Sequence, residues 1–186
     1  MKGNALANWF RKLIGNASSP PPVPLDTSPG GVYSGLRHQA LSTKRTEIGI
    51  AAPSPDAPVW GVLMETGYPG ATATLFTLSD GSTSLYLSSG GGVIGGHAHE
   101  HVRQANAAFI HIANQFYQQM TPCESFPIPE TGQTMFYALT DSGVLTGGGL
   151  ENDLGYGRHQ LSPLFDAGHE VITQLRQISE SASQDA

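Results

Sequence analysis

Asp80 and Gly81 stand between two β-rich runs, "ATATLFTL" (71–78) and "TSLYLSS" (83–89). An Asp-Gly pair in that setting is the strongest short-range hairpin signal, because the glycine takes a positive φ that other residues resist. A turn this tight leaves no length for a crossover, so the two runs must lie antiparallel. "VWGVLMETG" (59–67) precedes them across the turn "GYPG" (67–70) and reads as a strand buried on both faces. Residues 59–89 therefore form a three-stranded meander. In its last strand Leu85 and Leu87 share one face, and Ser84, Tyr86 and Ser88 the other. A second hairpin follows at "QTMFYALT" (133–140), "DSG" (141–143) and the short return "VLTG" (144–147).

Helical spacing marks the segments in between. Val102, Ala105, Phe109, Ile112 and Phe116 stripe a helix over roughly 98–120. Ser162 as N-cap and Pro163 at the first position open a last helix, over 162–179. Its stripe is Leu164, Phe165, Gly168, Val171, Ile172, Leu175 and Ile178. A weaker helix, 35–43, turns Leu36, Ala40 and Leu41 inward. The expected fold is α+β: a two-layer sandwich with a five-stranded antiparallel sheet in the order β-β-β-α-β-β-α. Both striped helices lie on one face. Phe109, Ile112, Val171 and Leu175 are the expected core. The other face, with Thr74, Ser84, Tyr86 and Ser88, is left free unless the 35–43 helix or an N-terminal helix covers it. Glu65, an acid in an apolar strand, reads as the strand's exposed end.

The domain occupies 32–179, with a frayed tail at 180–186. Ahead of it, Leu6, Trp9, Phe10, Leu13 and Ile14 give 1–15 an amphipathic helix, whose Arg11 and Lys12 break any signal-peptide core. Membrane contact, if any, is confined to residues 5–14. The Pro-, Ser- and Gly-rich stretch 16–31 is a semi-rigid linker.

Composition narrows the function classes. Hydrophobic residues, at 39%, are enough for a core, while charged residues are only 13%, about half the usual share of roughly 25%. The net charge of −6 and nine scattered Lys and Arg argue against nucleic acid. One cysteine, Cys123, precludes an internal disulfide and suits a reducing, cytoplasmic compartment. No apolar run is long enough to span a bilayer.

The most site-like stretch is "SSGGGVIGGHAHEHVRQA" (88–105). Gly90, Gly92 and Gly95 match the spacing of a dinucleotide loop. However, the strands before them form a meander rather than a β-α-β unit, and no acidic residue follows at the right distance. A carboxylate or phosphate on free amides near Gly90, Gly92, Gly95 and Gly96 is the weaker form of that reading; packing glycines are the plainer one. On a helix, His97 and His101 share a face as a half-site for zinc, with His99 about 200° away. Surface histidines are the plainer reading here too. No catalytic signature is present, and no cofactor is implied.

The stretch "VWGVLMETGYPGATATLFTLSDGSTSLYLSSGGGVIGG" together with "LSPLFDAGHEVITQLR" resembles a family of small bacterial proteins of no assigned function. The likeness runs over about residues 32–178. It implies an α+β fold and a bacterial origin, and carries over no catalytic residue. The general plan is similar to roadblock and profilin-like modules, which mostly bind partners. Those place two strands before the central helix and three after, whereas this chain places three and then two. Two function classes follow. One is a non-enzymatic module that binds another protein or itself, as a homodimer. The other is a small-ligand or metal-dependent protein, such as a hydrolase, centred on 90–101.

Overall fold

A computed structural model describes residues 29–184. The helix expected at 1–15 and most of the linker lie outside the described residues. The helices are α1 (Pro29–Ser42), α2 (Arg45–Ile48), α3 (Glu100–Phe116), α4 (Glu151–Gly155) and α5 (Ser162–Gln184). The strands are β1 (Gly61–Tyr68), β2 (Ala71–Leu78), β3 (Thr83–Leu87), β4 (Gly92–Ile94), β5 (Thr121–Cys123), β6 (Gln133–Thr140) and β7 (Gly143–Leu150).

All seven strands join one sheet in the order β4-β3-β2-β1-β6-β7-β5, and every pairing is antiparallel. The five-stranded sheet in the order β-β-β-α-β-β-α is thus corrected to seven strands, in a chain that enters through helices. The two unexpected strands, β4 and β5, have three residues each, too few to show a period of two. β5 also contains Pro122, which tolerates only an edge position. The meander and the second hairpin form as their turns dictate. Gly81 sits at φ 89° in the turn between β2 and β3. The return strand β7 runs on to Leu150, beyond the expected stop at 147.

Alternation along the strands splits the apolar residues between two cores. Val62, Met64, Leu75, Phe136 and Ala138 point to one face. There they meet Val102, Phe109 and Ala113 of α3 and Leu164, Val171 and Leu175 of α5. Both long helices share that face, as their stripes require. Leu63, Phe76, Leu78, Tyr86, Tyr137 and Leu139 point to the opposite face, under Tyr33, Leu36, Ala40 and Leu41 of α1. The two-layer sandwich with helices on one face is therefore corrected to three layers, α1 over sheet over α3 and α5.

α1 begins at Pro29, within the expected linker, which adds Tyr33 to the stripe of Leu36, Ala40 and Leu41. Proline suits a first helical turn because its missing N–H would have no partner there. With α1 in place, Thr74, Ser84 and Tyr86 are buried rather than free. Of the expected core, Phe109, Val171 and Leu175 are fully buried, but Ile112 only partly, and Ile110 takes the inward position. Ser162 lies inside α5 rather than capping it. The Leu161 carbonyl accepts the first bond, from Phe165 N–H, and the Ser162 hydroxyl accepts from His159 N–H.

Candidate functional site

The glycine–histidine stretch resolves into a turn, the edge strand β4 and a 3₁₀ turn at Gly96–Ala98. α3 begins only after an extended His99 at its N-cap. His97 and His101 therefore do not sit one α-helical turn apart. His99 and His101 are exposed, and His99 makes no side-chain cap. Among the described residues, no three His, Cys, Asp or Glu side chains gather as a metal set.

Gly96 is buried where the chain passes under α5. A Cβ there would lie 2.5 Å from Leu175 Cδ2 and 2.9 Å from Val102 Cγ1. Gly90 and Gly95 take positive φ in the turns on either side of β4, and Gly92 is the first residue of that strand. An anion at the start of α3 would meet the Glu100 carboxylate. Hydrogen bonds from Gln104 and then Arg103 hold that carboxyl below its ordinary range.

The polar feature that sequence reasoning missed lies on the opposite face. Glu65, expected at an exposed strand end, is 0% exposed in the middle of β1. Arg37 of α1 grips it through Nε (2.8 Å to Oε1, 3.0 Å to Oε2) and Nη2 (2.7 Å to Oε2). The Thr74 hydroxyl donates to Oε1 at 2.9 Å and lies 2.9 Å from the Tyr33 hydroxyl. Arg37 Nη2 and the Tyr137 hydroxyl both donate to the Pro127 carbonyl, at 3.3 and 2.8 Å.

Burial, and then the charge of Glu65, raise the phenols of Tyr33, Tyr86 and Tyr137, the last to about 12. They stay protonated at neutral pH. Tyr86 packs edge-on to Tyr33, and its buried hydroxyl finds no hydrogen-bond partner among the described residues. Both Glu65 oxygens are engaged, so the cluster works as a polar pin between α1 and the sheet. A usable signal was present. Arg37 stands in the stripe Tyr33–Leu41 at steps of four, which is the face a helix turns inward. The Cys123 thiol is raised by burial, against any role as a thiolate nucleophile.

The two edges of the sheet differ. β5, at one edge, carries Pro122. β4, at the other, lies within Gly81–Gly96, a stretch with no charged residue and no proline. Ile94 on β4 is 47% exposed and Leu87 on β3 is 37% exposed. Among the described residues no strand pairs with the outer side of β4. No family model, no curated protein and no solved structure matches the chain, so its reading rests on its own residues.

Proposed function

We propose that this domain works by binding another protein chain at the β4 edge, a second copy of itself first of all, and performs no chemistry. The observation that carries this reading is the uncharged, proline-free edge with Ile94 exposed on it. Proteins ordinarily blunt an open edge with charges, proline or a covering element, as Pro122 does on β5. An edge without charge or proline offers its backbone N–H and C=O groups to an added strand, here over the three residues of β4. Antiparallel pairing of β4 with its own copy has two-fold symmetry and closes as a dimer. With few charges on the chain, repulsion between copies is weak.

Size-exclusion chromatography with light scattering on the full chain tests this. The expected result is a concentration-dependent dimer for the natural sequence and a monomer for Ile94→Lys at equal unfolding stability. A natural chain that stays monomeric at every concentration, or an Ile94→Lys variant that dimerises as before, would overturn it.

A further inference from the structure

A groove of about 430 Å³ runs along one flank of α1. Ser34, His38 and Ser42, exposed and four residues apart, form its helical wall. Glu124, Phe126 and Ile128, alternate residues of the connection after β5, form the other. Ile128 is 55% exposed and Phe126 half-buried, so this second wall presents apolar surface. Arg37, which also lines the groove, is already committed to Glu65 and to the Pro127 carbonyl. Glu124 is exposed and makes no ion pair among the described residues. The groove thus offers an apolar strip beside an unpaired carboxylate, and suits an occupant that is apolar on one side and basic next to it.

Such an occupant stands on the same chain. Leu6, Trp9, Phe10, Leu13 and Ile14 recur at helical spacing, with Arg11 and Lys12 between them. Lys2, Arg11 and Lys12 are three of the nine basic residues, whereas Asp26 is the one acid of fifteen that precedes α1. The charges of segment and domain are therefore opposite. The lengths agree as well. At 1.5 Å per helical residue, the wall Ser34–Ser42 spans about 12 Å and the stripe Leu6–Leu13 about 11 Å. Residues 15–28 join that stripe to the start of α1, beside the groove. Extended, this tether reaches roughly 40 Å, and its Gly and Ser residues let it double back. It holds the segment at an effective concentration on the order of millimolar, which a free partner rarely matches.

We infer that residues 5–14 dock in the groove of their own domain. The apolar stripe lies on Phe126, Ile128 and Leu41, and Arg11 or Lys12 meets Glu124. Two neighbouring basic residues make a weak membrane anchor, which favours the groove over a lipid surface. No residue of β4 lines the groove, so this docking does not depend on pairing at that edge.

Acrylamide quenching of tryptophan fluorescence in the full chain tests this. Trp60 is 3% exposed and stays shielded, and a Trp9→Phe chain gives its baseline, so the remaining signal is that of Trp9. Trp9 should be quenched several-fold less readily in the folded chain than in urea, at every protein concentration and equally in Ile94→Lys. Glu124→Lys combined with Ile128→Lys changes two exposed positions and keeps the fold, which circular dichroism checks. The double variant removes the burial of one Ile side chain and the attraction of Glu124, and should weaken docking at least about tenfold. Trp9 then returns toward its value in urea. The inference is overturned if Trp9 is quenched as readily in the folded chain as in urea, whether or not anionic vesicles then shield it. It is also overturned if shielding appears only as the chain is concentrated, or if the double variant leaves shielding unchanged.

Discussion

Glu65 shows how a residue can be misread until its partner is known. An acid in an apolar strand looks like the strand's end when only neighbours in sequence are visible. Arg37, which neutralises it, lies 28 positions away on another element. Desolvating two charges costs about what their attraction returns, so the pair contributes little net stability and mainly fixes where α1 sits. Breaking it is another matter. Arg37→Met would strand a buried carboxylate and should cost about 3–5 kcal/mol in urea unfolding. Arg37→Met combined with Glu65→Met should cost less than Arg37→Met alone, and a larger loss in the double variant would refute the pin.

His169 makes a second test at this scale. Its ring centroid lies 4.2 Å from that of Phe165, and its buried Nε2 has no hydrogen-bond partner among the described residues. Burial pushes it below its ordinary value, against an upward pull from Glu151 and Asp166. The unfolded chain then binds this proton first, at about 6.5. The stability owed to neutral His169 is complete above that pH and is lost as pH falls toward the folded value. A His169→Gln variant should show a flatter stability curve below about pH 6.5 than the natural chain; parallel curves would dismiss the effect.

Elements long enough to repeat their pattern were legible. The two hairpins follow from their turns, and α3 and α5 from stripes that recur over several turns. What escaped was short or held by tertiary contact. β4 exists because it completes β3, and β5 because it borders β7. The α1 stripe was judged too short because Pro29–Gly31 reads as linker. Ile112 illustrates the limit of a stripe, since a position beside the centre line is half wet. Phe109→Ala should cost about 3–5 kcal/mol, and Ile112→Ala clearly less. Equal losses in chemical denaturation would contradict the packing described. Gly96→Ala should cost about 1–3 kcal/mol, because its Cβ would press into Leu175 and Val102. A neutral outcome would show that α5 moves aside freely.

At the scale of the whole molecule, the three layers leave the sheet's edges, and not its faces, as the open backbone surface. That is why a partner chain is proposed at β4 and not on the face that carries Thr74, Ser84 and Tyr86, which α1 hides. The sheet is also assembled from two pieces. β1 to β4 are joined by tight turns, β6 and β7 by another, and the pieces meet only along β1 and β6. Across that seam Thr66 and Thr134, 68 residues apart, bring their hydroxyls to 2.9 Å. Each hairpin can close locally within microseconds, whereas the seam must wait for the chain ends of a long loop to find each other. Collapse of this domain should therefore be paced by one docking event, with the seam ordered in its transition state. Lengthening the 124–131 connection would slow that event only weakly, since the entropy of closing a loop grows with the logarithm of its length.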